Sequence, residues 1–328
     1  MPILSVEKLQ TQLATSEGLI TPVDEVSLSL KRGETLGVVG ESGSGKSMLA
    51  LSLMRLIPNP PGRIVGGKVL YRHDEADDPI DFLKLSDEGM RKRRGKNIAM
   101  IFQEPMTSLN PLYTIGDQIG EALAIHDGKD RSSIRGRTLE LIDLVGIPDP
   151  KHRIDAYPHE LSGGMRQRAM IAMALSCNPD ILIADEPTTA LDVTIQAQIL
   201  ELMQRLQREL HMAMMFITHD FGVVAEIADR VMVMYAGQVV ESGTTKEIFS
   251  NPKHPYTQAL LSAVPVLEVR PDRMKLTTIP GTVPPLSKLP QGCHFQDRCP
   301  KVQQKCRKEE VPEDPCGIGR LVRCFYAR

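Results

Sequence analysis

A glycine-rich stretch near the start of the chain limits the possible folds more than any other feature. Residues 40–47 read Gly-Glu-Ser-Gly-Ser-Gly-Lys-Ser and fit the phosphate-loop pattern G-x-x-x-x-G-K-[ST]. The apolar run 35–39 predicts a buried strand before the loop, and residues 48–56 predict a helix after it. This order is that of a nucleotide-binding phosphate loop. The predicted binding residues are Gly40, Glu41, Ser42, Gly43, Ser44, Gly45, Lys46 and Ser47.

The residue types in this loop explain how it would hold a nucleotide with Mg²⁺. Glycines allow backbone N–H groups to turn towards phosphates, and the N-terminus of the following helix adds a partial positive charge. We expect Lys46 to reach the outer phosphates and the Ser47 hydroxyl to ligate Mg²⁺. A chance glycine-rich turn is the alternative, and the correct strand and helix flanks disfavour it.

Composition excludes several classes of protein. The 328 residues are 41% hydrophobic and 24% charged with a net charge of −2, which gives no general attraction to nucleic acid or anionic lipid. The N-terminus does not resemble a signal peptide, and the chain has no run of about 18 apolar residues. We therefore expect a cytosolic protein whose six Cys do not form a disulfide framework. The basic run 91–94 is interpreted as a solvated face.

Strand and helix patterns alternate along the chain, which predicts an α/β fold with a mainly parallel sheet. Short apolar–polar alternations in residues 1–34 predict antiparallel strands ahead of the loop. A Pro/Gly-rich loop is expected over 58–67, and a mostly helical insert over about 104–175. The other predicted elements are strands at 68–71, 98–102, 181–184 and 214–217, a long amphipathic helix over 195–210 and a hairpin over 231–240.

An acidic pair directly follows one of the predicted strands. Asp185 and Glu186 come after the apolar run 181–184, and ligands of parallel sheets bind at the carboxyl ends of the strands. We expect Asp185 to hold Mg²⁺, directly or through water, and Glu186 to accept a proton from the attacking water. The alternative is an acidic pair at a helix start, and the spacing from the phosphate loop favours catalysis.

Several segments, in their order along the chain, resemble the ABC transporter ATPase family. The segment 161–165, Leu-Ser-Gly-Gly-Met, resembles the LSGGQ signature and by itself predicts a helix start with Ser162 as N-cap. The resemblance covers residues 1 to about 245. Its other counterparts are Gln103 for the Q-loop glutamine, Ala190-Leu191-Asp192 for the D-loop and His219 for the switch histidine.

This resemblance implies an ABC-type P-loop ATPase, with a mostly parallel core sheet, an antiparallel β subdomain and a helical insert, over residues 1–245. Two subunits would pack head to tail, so that the signature of one caps ATP on the phosphate loop of the other. The insert would dock on a cytoplasmic helix of a membrane partner. The family pattern assigns Ser162, Gly163, Gly164 and Asp192 to the nucleotide, Gln103, Glu186 and His219 to catalysis, and Ser47, Gln103 and Asp185 to Mg²⁺.

The chain departs from the family pattern in two places. Met165 replaces the signature glutamine, and we expect phosphate capping to survive because the helix-start donors remain. The family also places an aromatic ring before the phosphate loop to stack on adenine, but residues 1–70 contain no Phe, Tyr or Trp, and Tyr71 is the first aromatic. Adenine must therefore be held by aliphatic contacts or by another segment.

The C-terminal part, residues 246–328, is predicted to be a separate extension. Its segments 254–261, 281–285 and 292–300 resemble those that follow the cassette in dipeptide and oligopeptide importers, a group shared with nickel, glutathione and opine importers. The resemblance implies a location at the cytoplasmic face of the cell inner membrane. It also implies two integral membrane permease subunits, a second ATPase subunit and a periplasmic or extracellular solute-binding protein as partners.

Five of the six Cys lie in this extension, which has too few apolar residues for a core of its own. A metal can supply the missing stability, although the spacing alone does not choose between zinc and iron–sulfur. Similar importers carry a [4Fe–4S] cluster here. The resemblance assigns Cys293, Cys299, Cys306 and Cys324 to the cluster and leaves Cys316 spare.

The residues and the resemblance together predict the ATP-hydrolysing subunit of a peptide importer. One alternative is the same kind of subunit in a nickel, glutathione or opine importer. Another is a soluble ABC ATPase acting on nucleic acid or ribosomes, which the single signature, the short insert and the net charge of −2 disfavour. A nucleotide-binding regulator without turnover is disfavoured by the intact Glu186.

Overall fold

A computed structural model describes residues 1–103, 108–127, 130–189, 191–263, 278–316 and 319–327 of the chain. The chain forms two compact units. The first consists of Met1–Leu4, Leu30–Glu34 and Tyr71–Phe216, and the second of Ser5–Ser29, Thr35–Leu70 and Ile217–Arg328.

The strands, in chain order, are β1 (Pro2–Thr15), β2 (Gly18–Lys31), β3 (Thr35–Val39), β4 (Gly62–Tyr71), β5 (Ile80–Asp81), β6 (Ile98–Ile101), β7 (Ile181–Asp185), β8 (Ala213–Thr218), β9 (Arg230–Tyr235), β10 (Gln238–Thr244), β11 (Asp314–Pro315) and β12 (Leu321–Val322). The α-helices are α1 (Lys46–Leu53), α2 (Asp87–Arg93), α3 (Ile115–Asp127), α4 (Arg131–Leu144), α5 (Pro150–Arg153), α6 (Gly163–Leu175), α7 (Val193–Leu210), α8 (Phe221–Ile227), α9 (Thr245–Ser250), α10 (Pro255–Ser262) and α11 (Gln304–Lys308). Short 3₁₀ turns occur at Phe82–Lys84, Pro158–Glu160 and Gln296–Arg298.

The first unit contains the buried strands β6 and β7, which pair in parallel with Ile98 opposite Ile181. Helices α3, α4 and α6 follow the strand β6 in sequence and pack on one another. A buried polar network lies within this unit. There the carboxylate of Asp180 accepts hydrogen bonds from the Tyr71 hydroxyl (2.5 Å), the Asn97 amide (3.1 Å) and the Arg32 guanidinium (2.9 Å).

The second unit contains the strand order β11-β12-β10-β9-β3. Strand β3 runs parallel to β9, whereas β9 and β10 form an antiparallel hairpin through Ala236 and Gly237, both at positive φ. The C-terminal strand β12 pairs with β10, with Val322 opposite Glu241. Strands β2, β1 and β4 are neighbours, in that order, in a separate sheet.

The core of the second unit includes residues of the C-terminal extension. Phe295 is 1% exposed and packs on Tyr235 of β9 and Tyr256 of α10, with ring centroids 5.2 Å from each. The two tyrosine rings lie 4.6 Å apart. Burial of three such rings removes a large apolar area from water, so the extension contributes to the core around β9.

Most of the predicted elements are present, with one clear correction. The predicted loop over 58–67 is wrong in its second half, because β4 already begins at Gly62. Gly67 has φ +94°, and a side chain there would meet the backbone of Leu9 at 2.6 Å. Glycine in this strand therefore marks a close approach to β1 rather than a loop.

Candidate nucleotide site

The phosphate loop follows the fully buried strand β3 and leads into α1. Two of its glycines are required by close approaches of other backbone segments. A Cβ at Gly45 (φ +103°) would lie 2.1 Å from the Pro22 carbonyl oxygen, and one at Gly40 (φ +154°) would lie 2.3 Å from that of Met234. The loop conformation is thus fixed by its surroundings, which is the preorganisation that anion binding requires.

Two polar side chains in the loop fit a phosphate ligand. Lys46 is 5% exposed, and its ammonium donates to the carbonyl oxygens of Gly40 (2.7 Å) and Glu41 (3.1 Å). The hydroxyl of Ser44 is fully buried and has no hydrogen-bond partner among the described residues. Because a buried polar group without a partner is costly, an incoming phosphate oxygen would satisfy it.

The C-terminal extension holds the second residue of the loop. The Glu41 backbone N–H donates to the Tyr256 hydroxyl (2.9 Å). The Glu41 carboxylate accepts two hydrogen bonds from the Arg298 guanidinium, at 2.6 and 3.0 Å. Neither partner could be predicted from the sequence, because both lie more than 200 residues away from the loop along the chain. The sequence marks the region of Tyr256 and Arg298 only by a change in composition after residue 244. Such a change does not predict which residues they contact.

A cavity of about 460 Å³ opens beside the phosphate loop. One wall is the loop itself at Ser42 and Gly43, and the second is the end of the β1–β2 hairpin. The third wall is the tail segment 283–287, Val-Pro-Pro-Leu-Ser. This volume lies in the usual range for small-molecule sites.

The predicted switch histidine, His219, follows β8 in the second unit and is exposed. The next residue, Asp220, caps helix α8 by accepting hydrogen bonds from the N–H groups of Gly222 (2.8 Å) and Val223 (3.4 Å). The cap fixes the start of α8, so the histidine stands at the end of a strand and immediately before a helix.

In the first unit, the acidic pair ends the buried strand β7. Asp185 is 4% exposed, and Glu186 is half-buried with a left-handed backbone (φ +47°). A non-glycine residue in this conformation costs energy, and such residues cluster at functional sites. The Glu186 carboxylate accepts hydrogen bonds from the Gln103 amide (3.3 Å) and the Thr189 hydroxyl (3.0 Å). The predicted base and the predicted Q-loop glutamine are therefore neighbours.

The signature segment begins helix α6, as the sequence predicts. Ser162 is the N-cap, and its hydroxyl accepts a hydrogen bond from the Met165 N–H (3.3 Å). Ser162 and Gly163 are exposed at this helix start, and a side chain at Gly164 would meet Ile195 at 2.9 Å. Asp192 caps α7 by accepting from the Ile195 N–H (2.9 Å), whereas Ala190 of the predicted D-loop lies outside the described residues. The signature and Asp192 thus form one exposed edge.

The four cysteines that the resemblance assigns to a cluster line one small cavity of about 20 Å³. Burial raises the pKa of the Cys293 thiol to about 11, and the neighbouring thiols at 306, 299 and 324 contribute. Within the described ranges there is no group of three or more His, Cys, Asp or Glu placed to hold a metal ion. Cys316 is exposed and does not line the cavity, and Cys177, which follows α6, is half-buried.

In the part of the chain that the structure describes, no helix is both long enough and apolar enough to span a bilayer.

Two family models match the chain. That of the ABC transporters matches residues 23–189, and that of the oligopeptide/dipeptide transporter C-terminal region matches residues 240–306.

Relatives named as dipeptide transport proteins match over nearly the whole chain. The dipeptide transport ATP-binding protein DppD of Escherichia coli (strain K12) is 49% identical over 326 residues, which cover 99% of this chain and 97% of that protein. The protein of the same name from Bacillus subtilis (strain 168) is 51% identical, over 98% of this chain and 94% of its own. Among solved structures, the dimeric ATP-binding cassette MJ0796, in a post-hydrolysis state bound to ADP and Pi, matches with a TM-score of 0.64 and 28% identity. The match covers 74% of this chain and 98% of that one.

Proposed function

Because the chain belongs to the ABC transporter ATPase family, and to its dipeptide and oligopeptide branch, we propose that it hydrolyses ATP to drive peptide import through a membrane complex. The observation that carries this proposal is the similarity to dipeptide transport ATP-binding proteins along both the cassette and the C-terminal region. A cassette match alone would leave the solute class open, since the fold serves many functions.

We assign the roles in the reaction residue by residue. In the second unit, the phosphate loop binds the triphosphate, Lys46 reaches its outer oxygens and His219 contacts the γ-phosphate. In the first unit, Glu186 accepts a proton from the attacking water, and Gln103 orients that water through its bond to the same carboxylate. Mg²⁺, when bound, neutralises charge that develops on the phosphates. Ser47, Asp185 and Gln103 are the residues that would hold it.

A second ATPase subunit completes the site in this proposal. Ser162, Gly163 and Asp192 are exposed at helix starts and Gly164 is half-buried, and backbone N–H groups at a helix start bind phosphate. The dimeric state of the related MJ0796 cassette supports this arrangement. A closure that depends on the γ-phosphate would reverse after hydrolysis, which is how cleavage could be converted into motion.

We place the protein at the cytoplasmic face of the cell membrane, bound to two permease subunits that receive solute from an external binding protein. A groove of about 490 Å³ runs between α3 and α4 and is lined by Asp117, Glu121, Arg131, Arg135 and other residues. A cytoplasmic helix of a permease is the proposed occupant of this groove.

For the extension, we propose that Cys293, Cys299, Cys306 and Cys324 hold a [4Fe–4S] cluster. The donor set fits this group in ligand type and number, because four thiols line one apolar cavity and Cys316 lies outside it. Cys thiolates are the ligands that such clusters take, so these four residues would hold the group. The cavity of about 20 Å³ must widen on loading, since it now has room for about one water molecule.

The cluster is tested on anaerobically purified full-length protein. We expect about four irons and four sulfides per chain, loss of both in Cys293→Ser, and protease sensitivity of the tail in that variant. The matched control is Cys316→Ser, which should retain the cluster and the protease resistance. Stoichiometric zinc in colourless protein would overturn the iron–sulfur assignment, and an ordered metal-free tail would overturn any metal centre.

Peptide import is tested by deleting the gene and measuring uptake of a radiolabelled dipeptide. Uptake should be lost and then restored by the wild-type gene but not by Lys46→Ala, which removes the phosphate-binding ammonium. Affinity purification in mild detergent should recover two integral membrane proteins with the chain. Normal dipeptide uptake in the deletion strain, or co-purification of nucleic acid in place of membrane proteins, would contradict the proposal.

A further inference from the structure

The cavity of about 460 Å³ beside the phosphate loop has a wall that the ATPase motifs do not explain. Two of its sides are Ser42 and Gly43 of the loop and Thr15, Ser16, Glu17 and Ile20 of the β1–β2 hairpin. The third side comes from the C-terminal extension, at residues 283–287. A nucleotide whose phosphates lie on the loop must place its base in a neighbouring space, and this cavity adjoins the loop.

The tail wall of the cavity is anchored on both sides. Val283 and Leu286 pack against the buried core cluster that includes Tyr235 and Phe295. The Ser287 hydroxyl donates to the Glu17 carboxylate (3.0 Å), which ties the tail to the hairpin. Two adjacent prolines, Pro284 and Pro285, have restricted backbones and therefore lose little entropy when a ligand binds.

The lining of the cavity offers apolar and hydroxyl groups to a nucleotide base, but no aromatic ring. The residues that line it in the described part of the chain are aliphatic, proline, glycine, hydroxyl and one carboxylate. Residues 1–70 also contain no aromatic side chain. The flat apolar faces of a purine can be covered by proline rings and by Ile20, which removes apolar area from water.

We propose that the extension forms part of the nucleotide site of its own chain, with the segment 283–287 covering the base of bound ATP. This inference rests on the proposed ATPase function. It assigns the tail a role in ligand affinity, in addition to any role of its cysteines. It also explains how a chain without an aromatic ring before the loop retains a base subsite.

Photolabelling tests this placement directly. The full-length chain is incubated with 8-azido-ATP and Mg²⁺, irradiated, digested and mapped by mass spectrometry, with excess ATP as competitor. We expect ATP-sensitive labels within residues 283–287 and 15–20. Labels confined to other segments would overturn the base subsite, whereas a chain that takes no label and binds no ATP would contradict the ATPase function itself.

Substitutions test the energetic contribution. The double variant Pro284→Gly/Pro285→Gly should weaken ATP binding roughly 3- to 10-fold and leave binding of inorganic tripolyphosphate unchanged. Pro290→Gly, in the same tail but outside this cavity, is the matched control and should bind ATP normally. Ser16→Tyr, which supplies a ring from the hairpin side, should tighten ATP binding. Unchanged ATP affinity in both the double proline variant and Ser16→Tyr would overturn the proposal.

A separate observation supports a second inference about the same extension. The Arg298 side chain is 5% exposed, and its guanidinium makes the paired hydrogen bonds to Glu41 described above. Its Nε donates to the Pro280 carbonyl (3.0 Å), and its charged end lies 5.8 Å from the Tyr235 ring and 5.9 Å from that of Phe295. Contacts outside the phosphate loop therefore hold the Arg298 side chain in the position from which it bonds Glu41.

Arg298 is linked to the cysteine cavity by its neighbour in sequence and by the ring of Phe295. Cys299 is the next residue, and Phe295 lines the cysteine cavity while packing on Tyr256, whose hydroxyl holds the Glu41 N–H. Glu41 is thus fixed through its carboxylate, its N–H and its carbonyl, the last by Lys46. We infer that Arg298 is a positioning residue for the phosphate loop, and that loss of order around the cysteines weakens nucleotide binding.

A double-mutant cycle tests this second inference. Arg298→Gln and Glu41→Gln should each weaken ATP binding roughly 5- to 20-fold, and the double variant should be no worse than either single one. Arg298→Lys should recover part of the affinity because it keeps the charge but not the paired geometry. The effect should appear in KM and in the dissociation constant more than in kcat.

The control is Arg307→Gln, another tail arginine that adjoins a cavity cysteine but pairs with Asp297 instead of the loop. It should leave ATP affinity unchanged. Additive losses in the double variant, or an equal loss in Arg307→Gln, would show that Arg298 does not act through Glu41 and would overturn the inference. Resistance of each tail to protease, measured in parallel, separates this result from simple unfolding.

Discussion

The two units hold their functional residues by different kinds of contact. In the first unit three supports are local in sequence: the Ser162 hydroxyl accepts from the Met165 N–H, the Asp192 carboxylate accepts from the Ile195 N–H, and the Thr189 hydroxyl donates to Glu186. The bond from Gln103 to Glu186 is the exception among those described, since 83 residues separate the two. In the second unit the phosphate loop is supported by segments far away along the chain, at Pro22, Met234, Tyr256 and Arg298. A contact within a motif depends only on that motif. Contacts from distant segments make the conformation of the phosphate loop depend on the rest of its unit.

This contrast predicts which substitutions should change nucleotide affinity and stability as well as the function of their own motif. A change in the first unit should alter its own step and leave nucleotide binding in place. A change near the phosphate loop, or in the distant segments that contact it, should alter affinity and stability together.

The largest effect is expected for Glu186→Gln, which removes the proton acceptor but preserves the side-chain shape. ATP hydrolysis should fall by about 10²-fold or more while ATP binding remains near wild type. Phosphate release and equilibrium nucleotide binding, measured on the same preparation, check this. If Glu186→Gln hydrolysed ATP at the wild-type rate, the carboxylate would have no role as the base.

Gly45→Ala should test the distant support of the loop. The new Cβ would lie 2.1 Å from the Pro22 carbonyl at φ +103°, so both sterics and backbone strain oppose it. We expect a loss of about 2–3 kcal/mol in unfolding free energy. ATP affinity should be lost as well.

Gly33→Ala is the control for this substitution, because Gly33 also has positive φ (+72°) but a Cβ there would meet no atom of the described chain within 4 Å. It should cost only about 1 kcal/mol. Equal costs for the two variants in denaturant unfolding would show that the approach of Pro22 is unimportant.

Ser162→Ala should test the local support in the first unit. Loss of the N-cap hydrogen bond should cost about 1 kcal/mol of unfolding free energy. Thr244→Ala, which removes a cap from α9 in the second unit, should cost a similar amount. Only Ser162→Ala should also slow hydrolysis, and a slowing of the same size in Thr244→Ala would remove the specific role of the signature.

The smallest effect concerns the choice of base. A surface without an aromatic stack should discriminate ATP from GTP less strongly than relatives that have the ring, because a stack contributes about 1–3 kcal/mol. Competition of ATP and GTP for the binding site checks this. Strong selectivity for ATP would point to a polar contact with the base, for which Glu17 is the first candidate in the cavity.

The sequence was sufficient for features whose geometry follows from near neighbours. The strand–loop–helix around the phosphate loop, the Ser162 cap and the strand ending in Asp185 were all predictable from spacing and residue type. The neighbouring positions of Gln103 and Glu186 required the family resemblance, because 83 residues separate them.

What could not be predicted depends on contacts between remote segments. The left-handed backbone of Glu186, the bond from Arg298 to Glu41 and the tail wall of the cavity have no local sequence pattern. The extension looked separate because its periodicity fades after residue 244. In the structure it adds β12 to the sheet edge at β10 and places Phe295 in the core, since few apolar residues suffice when they pack on a core that already exists.

The bond between Arg298 and Glu41 has a consequence for how the protein is made. Residues 40–47 leave the ribosome early, but their partners at 256 and 298 are synthesised much later. At 5–20 residues per second the interval to residue 298 is roughly 13–50 s. We expect ribosome-bound chains stalled before residue 256 to bind ATP more weakly than released full-length chains. A newly synthesised subunit would then gain full affinity for nucleotide only when its last segment has been translated, so incomplete chains would not compete for ATP.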